Sequence, residues 1–232
     1  MPNWIADPTR SFLYKVQMTF YDKILAADIR GRENIPRHRR VIVIANHSSH
    51  LDYGLVQYSL ENFGRNLGIV AAKDYFFDRF WKSTFFGNFM TLVPIDRSEI
   101  SYAAAFKPAV DCLNGGDPIL IFPEGTRSED GVMQPFKHGI GYLALHAKAD
   151  ILPIRLTGTH TALPKGRTIV RSRSVRVDIG QLIPFESLER ATEGLSQRRS
   201  YDLITKRLQA AVRNIHTPFH AIASEAEMEA RV

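Results

Sequence analysis

Residues 40–46 read Arg-Val-Ile-Val-Ile-Ala-Asn, a short run rich in β-branched side chains that ends in a polar amide. Such a run predicts a strand buried on both faces of a sheet. Similar runs follow at residues 67–72, 92–95, 119–122 and 151–156. Helical patterns lie between or beside them, at residues 55–63, 75–86, 102–114 and 140–148. Strands that alternate with helices predict an α/β fold with a mixed, largely parallel sheet flanked by helices.

Further elements are predicted towards the two ends of the chain. Apolar side chains recur every four residues within residues 11–27, which predicts an N-terminal amphipathic helix. Residues 168–180 suggest two more strands, and residues 201–215 suggest a C-terminal helix. We therefore divide the chain into an N-terminal amphipathic segment at 1–30, a single domain at 31–218 and a tail at 219–232.

Composition narrows the class of protein. The chain has 232 residues, which as a prior is one domain. The longest stretch without a charged side chain is residues 83–95, 13 residues, whereas a membrane-spanning helix needs about 20. Thirty basic against 24 acidic side chains give a net charge of +6, which favours anionic partners such as phosphate-bearing ligands or acidic membranes.

The compartment is predicted from the first residues and from cysteine usage. The first ten residues, MPNWIADPTR, lack the basic-then-apolar order of a secretory signal. The one cysteine, Cys112, excludes an internal disulfide and a zinc site built from several cysteines. We therefore expect a cytoplasmic protein.

The segment that follows the first predicted strand carries a candidate catalytic pair. His47 and Asp52 are five residues apart, and an aspartate that accepts from one imidazole nitrogen leaves the other nitrogen able to take a proton. Five residues of regular helix turn about 500°, which would point the two side chains about 140° apart. The pair therefore requires His47 in the turn before a helix and Asp52 in the first turns of that helix. On spacing alone, a capping or turn role explains both residues equally well.

A second polar segment follows the strand at residues 119–122. Residues 122–128 read Phe-Pro-Glu-Gly-Thr-Arg-Ser. Gly125 permits close approach of a ligand to the backbone, and Arg127 offers a planar donor fork suited to phosphate. Glu124 would repel a phosphate, so a cation or a backbone amide is its expected partner. Taken alone, the segment reads as a surface turn with a salt bridge.

Four blocks in order strengthen the functional interpretation. They are Asn-His-x4-Asp at residues 46–52, Pro-Ile-Asp-Arg at 94–97, Phe-Pro-Glu-Gly-Thr-Arg at 122–127 and Leu-Pro-Ile at 152–154. Together they resemble the glycerolipid acyltransferase family, with most likeness to its 1-acyl-sn-glycerol-3-phosphate acyltransferases. The blocks span nearly half of the chain.

This resemblance implies an O-acyltransferase that moves a fatty acyl group from acyl-coenzyme A or acyl carrier protein to a lysophospholipid hydroxyl, most specifically turning 1-acylglycerol-3-phosphate into phosphatidic acid. His47 would be the general base and Asp52 its orienter, with no cofactor and no acyl-enzyme. Ser48 and Ser49 lack the Gly-x-Ser-x-Gly elbow of a serine nucleophile. Cys112 lies in a predicted helix and is interpreted as core.

The resemblance also implies a site for the acceptor phosphate. The residues that match the family pattern are Arg97, Glu124, Gly125, Thr126 and Arg127, with Lys73 as a further candidate. Two departures stand out: residues 90–93 read Met-Thr-Leu-Val where the family's second block usually opens with glycine, and Arg155 replaces an aliphatic residue. The family's N-terminal membrane anchors are represented here only by the amphipathic helix.

Three features suggest peripheral contact with an anionic membrane, on its cytoplasmic face. Residues 75–89 hold eight aromatic side chains, which would line an acyl groove, enter the bilayer interface or pack in the core. The N-terminal helix would lie on a membrane or cover the sheet. Residues 164–176 carry five cations and no acid, which suits anionic headgroups or a solvated strand face.

Other functions stay open. A phosphate-free acceptor such as a lyso-aminolipid would fit the same chemistry, and a non-catalytic lipid-binding relative would share the motifs. A zinc hydrolase is a weaker alternative, because His50 and Asp52 match two of the four positions of a His-x-His-x-Asp-His site. The net charge permits nucleic-acid binding, but no zinc-finger spacing or RNA-recognition signature is present. We expect neither a bound metal nor a nucleic-acid partner.

Overall fold

The computed structural model describes residues 8–38, 40–72, 91–96, 98–99, 101–171 and 174–215. The helices are α1 (Pro8–Thr19), α2 (Asp52–Ser59), α3 (Glu61–Gly64), α4 (Tyr102–Asn114), α5 (Gly139–His146), α6 (Thr159–Ala162), α7 (Phe185–Ala191) and α8 (Gln197–Arg213). The strands are β1 (Asp28–Arg30), β2 (Val41–Ala45), β3 (Gly68–Ala72), β4 (Thr91–Ile95), β5 (Ile119–Ile121), β6 (Asp150–Thr157) and β7 (Arg176–Ile179).

Within the described residues, the strands form one seven-stranded sheet in the order β1-β7-β6-β2-β5-β3-β4. Neighbours run parallel, except that β6 and β7 are antiparallel. The predicted α/β fold with a mixed, largely parallel sheet and an N-terminal helix is therefore confirmed. The β-branched run of β2 lies at the centre of the sheet, where every residue of the strand is buried.

Helices cover both faces of the sheet and create two apolar cores. Successive side chains of a strand point to opposite faces, so Val41 and Val43 enter one core while Ile42 and Ile44 enter the other. The first core also receives buried side chains from α2, and the second receives side chains from α4, α5 and α8. The central strands are thereby held from both sides, and the loops at their ends start from a fixed frame.

The structure corrects the N-terminal prediction. The helix predicted at residues 11–27 ends at Thr19 and continues as a π-helical turn, Phe20–Ile24, in which the Leu25 amide donates to the Phe20 carbonyl at 3.1 Å. The wider turn carries Tyr21 and Leu25, both buried, into the first core. β1 was not predicted from the sequence, because its three residues hold one apolar side chain between two charged ones and are too few to give a strand signal.

Residues 168–180 differ as well. Two strands were predicted there, but the described part contains one, β7. The preceding segment forms turns instead, because the amides of Arg167 and Arg171 donate to the carbonyls of Pro164 and Ala162. The aromatic helix predicted at residues 75–86 lies outside the described residues. Within the described residues, we find no helix with the length and apolar character that crossing a bilayer requires.

Candidate active site

Both polar segments singled out above start at the same edge of the sheet. β2 ends at Ala45 and β5 ends at Ile121, and the two strands are parallel neighbours. Their carboxyl ends therefore meet, and the segments at residues 46–52 and 122–128 leave the sheet side by side. Crevices at the carboxyl ends of parallel strands are the usual place for ligands in open α/β sheets.

His47 and Asp52 are in direct contact. Nδ1 of His47 lies 2.8 Å from Oδ2 of Asp52. His47 precedes α2, and Asp52 is its first residue, which confirms the geometry that the spacing requires. An ionised carboxylate only accepts hydrogen bonds, so Nδ1 carries the proton and Nε2 is left as the basic nitrogen. The His47 side chain is 22% exposed, so a substrate can reach it.

Asp52 is held by the backbone of the turn that it faces. Its side chain is fully buried, and Oδ2 also accepts the amides of Ser48 and Ser49, at 2.7 and 2.8 Å. The turn therefore fixes the position of the carboxyl group whose Oδ2 contacts the imidazole of His47.

Two residues that the sequence analysis left without a role fix the turn to the sheet. The Asn46 side chain bonds the backbone of Leu156 in both directions, as donor to its carbonyl at 2.9 Å and as acceptor from its amide at 2.8 Å. The ring of Phe122 stacks on the His47 imidazole, with centroids 4.0 Å apart and planes 12° apart. The role of Asn46 could have been suspected from its position, a polar residue at the end of a buried strand. No local sequence pattern indicated that Phe122 stacks on His47.

The two serines of the turn have structural partners. Ser48 Oγ lies 3.0 Å from Oγ1 of Thr159, and Ser49 Oγ donates to the carbonyl of Leu163 at 2.7 Å. Both serines are buried. Their hydroxyls join the turn to α6 and to the segment after it.

Glu124 connects the two segments through their backbones. Oε1 accepts the His47 amide at 2.6 Å, and Oε2 accepts the Gln134 amide at 2.7 Å. Burial raises the pKa of this carboxyl group to about 7, although the two amide hydrogen bonds lower it. The expected backbone-amide partner is therefore found, and Glu124 holds the loop that carries His47 through a hydrogen bond to its backbone.

The rest of the second segment forms a turn that directly follows Glu124. Gly125 has φ +72°, a left-handed conformation that favours glycine, and a β-carbon there would stand 2.8 Å from Nζ of Lys137. Thr126 is exposed and Arg127 is half-buried. The Lys137 ammonium group thus lies against the Gly-Thr-Arg turn.

The remaining predicted ligands, Lys73 and Arg97, lie outside the described residues, and their assignment stays a prediction. Across the part of the chain that the structure describes, no group of three or more His, Cys, Asp and Glu side chains is arranged to hold a metal ion. The zinc-hydrolase alternative would use His50 and Asp52 as metal ligands. In the structure, Oδ2 of Asp52 is bonded to His47.

A family model described as acyltransferase matches residues 26–157. The 1-acyl-sn-glycerol-3-phosphate acyltransferase of Limnanthes alba is 34% identical over 165 residues, which are 69% of this chain and 54% of that protein. The enzyme of that name from Pseudomonas aeruginosa is 31% identical over 180 residues, 74% of this chain and 65% of its own. The chain spans about half the length of the curated relatives that it matches.

A solved structure has a similar fold. The crystal structure of the 1-acyl-sn-glycerophosphate acyltransferase PlsC from Thermotoga maritima superposes with a TM-score of 0.65. The match covers 89% of this chain and 80% of the other, at 24% sequence identity. At that identity the likeness describes the fold.

Proposed function

The chain belongs to the acyltransferase family, and from this premise we propose that it transfers a fatty acyl group from an acyl thioester to the free hydroxyl of a lysophospholipid. The proposed acceptor is 1-acylglycerol-3-phosphate and the product phosphatidic acid, as the names of its relatives suggest. One observation carries the proposal: the 2.8 Å contact between His47 and Asp52, at the sheet edge where the Gly-Thr-Arg turn also lies.

The proposed reaction is a direct transfer in which His47 moves one proton. Nε2 removes the proton of the acceptor hydroxyl while its oxygen attacks the thioester carbonyl. A tetrahedral oxyanion forms and collapses, the carbon–sulfur bond breaks, and the imidazolium returns the proton to the leaving thiolate. Asp52 stabilises the imidazolium from the Nδ1 side. No cofactor takes part; acyl-coenzyme A or acyl carrier protein is the co-substrate.

The acceptor phosphate is proposed to bind at the turn after β5. Gly125 has no side chain that would displace Lys137, Arg127 offers a bidentate donor fork, and Lys137 adds a second positive charge close to Gly125. Arg97 and Lys73 complete the proposed set by the family pattern. Glu124 takes the amide of His47, which joins the phosphate turn to the base. Phosphate binding would thereby place the hydroxyl of the same molecule near Nε2.

The acceptor is a membrane lipid, and we propose that the protein works at the cytoplasmic membrane surface. α1 and the π-helical turn bury Tyr21 and Leu25 against the domain, and on their outer side Phe12, Val16 and Ile24 are 63%, 51% and 45% exposed. An amphipathic helix with such an outer face suits the interface between headgroups and acyl chains.

The direct test is thiol release by the purified protein, incubated with 1-acylglycerol-3-phosphate and either acyl-coenzyme A or acyl carrier protein. His47→Ala is expected to lower kcat about 10²–10⁴-fold, because the general base is removed. His38→Ala is the matched control, since His38 is exposed and pairs with Asp150, the first residue of β6, at the opposite edge of the sheet. Turnover that survives in His47→Ala would refute the assigned base.

A further inference from the structure

The first part of the basic stretch at residues 164–176, residues 164–171, forms an outward-facing loop. Arg167 and Arg171 are exposed, and Ile169, between them, is 76% exposed. The next residue, Val170, is half-buried and packs against the first apolar core. The loop therefore anchors itself through one apolar side chain while it presents another to the outside.

The loop combines an exposed apolar side chain with positive charge. Arg167 stands two residues before Ile169, and Arg171 stands two residues after it. No described residue forms an ion pair with either arginine, whereas Lys165 and Arg176 are paired with Glu129 and Asp178. An exposed apolar side chain between two exposed arginines in the chain complements an anionic lipid surface, where the phosphates meet the acyl chains.

The loop is attached to the candidate active site from two sides. Leu163, directly before it, accepts the hydroxyl of Ser49 at 2.7 Å, and Ser49 in turn donates its amide to Asp52. Lys165 pairs at 2.8 Å with Glu129, two residues after Arg127. The Arg171 amide donates to Ala162 at 2.7 Å and closes the loop on α6. A surface that holds the loop would therefore lie near the turn that carries His47.

We propose that residues 164–171 are a bilayer-contact element, with Ile169 inserted among the lipid headgroups and with Arg167 and Arg171 bound to anionic lipid phosphates. This contact is separate from that of α1, but Val170 and Met18 of α1 pack against the same core, so both elements lie over one face of the sheet. The purpose of the contact rests on the proposed function, because it brings lipid-bound acceptor to His47. Its existence does not depend on the reaction.

The test is sedimentation of the purified full chain with vesicles of phosphatidylcholine, with or without phosphatidylglycerol, in the absence of any substrate. Each arginine is expected to contribute about fivefold to binding, so Arg167→Gln/Arg171→Gln should weaken binding to the anionic vesicles about 25-fold. Ile169→Ser should weaken it without changing the charge. Because no turnover is measured, failure of the proposed activity would leave this result intact.

The matched control is Arg198→Gln/Arg199→Gln, which removes the same charge from exposed positions at the start of α8. It should bind the anionic vesicles as the wild type does, and all variants should keep the wild-type unfolding temperature. Equal losses in both double variants would show that net charge alone acts, and the proposal would fail. It would also fail if vesicle binding stayed intact while kcat/KM for acyl carrier protein dropped, since the arginines would then serve an acidic protein.

Discussion

Glu124 shows how one buried carboxyl group organises the candidate site. It accepts two backbone amides, those of His47 and Gln134, at 2.6 and 2.7 Å, and the side chain has almost no contact with solvent. The charge that makes it a strong acceptor is costly to bury, and this cost raises its pKa to about 7. The turn before α2 is therefore held by a group that titrates near neutral pH.

We expect Glu124 to make stability depend on pH. Its pKa is about 7 in the folded protein against an ordinary value of 4.5, so the folded state binds this proton more tightly. The contribution to stability is complete below pH 4.5 and is lost as the pH rises through about 7, roughly 3 kcal/mol in all. Urea unfolding across this range should give a flatter dependence of the free energy on pH for Glu124→Gln than for the wild type. Parallel curves would contradict the assignment.

Arg127 is the residue whose substitution tests the acceptor phosphate. A charge-assisted hydrogen bond to phosphate is worth about 1.5–3 kcal/mol, so Arg127→Ala should raise KM for 1-acylglycerol-3-phosphate about 10- to 100-fold. With an acceptor lipid that lacks the phosphate, KM should rise much less. Kinetics with both acceptors measure the difference, and Arg190→Ala, at an exposed position of α7, is the control. An equal rise in KM with both acceptors would show that Arg127 does not bind the acceptor phosphate.

At the scale of elements, α1 and its π-helical turn are joined to the helix that carries Asp52. The Tyr21 hydroxyl donates to the Leu51 carbonyl at 3.1 Å, and Gln17 donates to Gln57 of α2 at 3.2 Å. Burial raises the pKa of Tyr21, and the nearby Asp52 raises it further, so the hydroxyl stays a donor. The N-terminal helix thus supports the turn that carries His47 and also presents an outer surface.

Gly54 in α2 tests this packing. Glycine to alanine normally stabilises an exposed helix position by about 1 kcal/mol. Here a β-carbon would stand 2.3 Å from the Tyr21 hydroxyl oxygen and 2.6 Å from Nε2 of Gln17, so Gly54→Ala should destabilise by about 1–3 kcal/mol. Urea unfolding measures the sign. Ala103→Gly, at an exposed position of α4, measures the ordinary difference in helix propensity and should lower the free energy of unfolding by about 1 kcal/mol. A more stable Gly54→Ala would show that α1 does not pack on α2 in this way.

At the scale of the whole molecule, the sheet brings distant parts of the chain to one edge. His47 meets Glu124 across 77 residues, Asn46 meets Leu156 across 110, and Ser49 meets Leu163 across 114. These contacts come from β2, β5 and β6, which are neighbours in the centre of the sheet. Both faces of that centre are packed. The hydrogen bonds to Glu124, Leu156 and Leu163 therefore hold the segment that carries His47 to three other parts of the chain.

Sequence alone determined the central strands and the helix at residues 102–114. These features depend on interactions between near neighbours, because β-branched runs favour extended chain and regular apolar spacing favours a helix. For His47 and Asp52 the spacing left a catalytic pair and a turn role equally open, and the contact between them came from the structure. The missed β1 and the early end of α1 at Thr19 show the limit of such signals, because an edge strand and a π-helical turn depend on what packs against them.

Only the tertiary structure decided which groups surround the pair. Glu124 had two candidate partners in the sequence, a cation and a backbone amide, and burial beside the His47 backbone selected the amide. The approach of Lys137 to Gly125 and the stacking of Phe122 on His47 were likewise invisible along the chain. Hydrogen-bond partners and burial arise where segments distant in sequence meet, and no local pattern encodes that meeting.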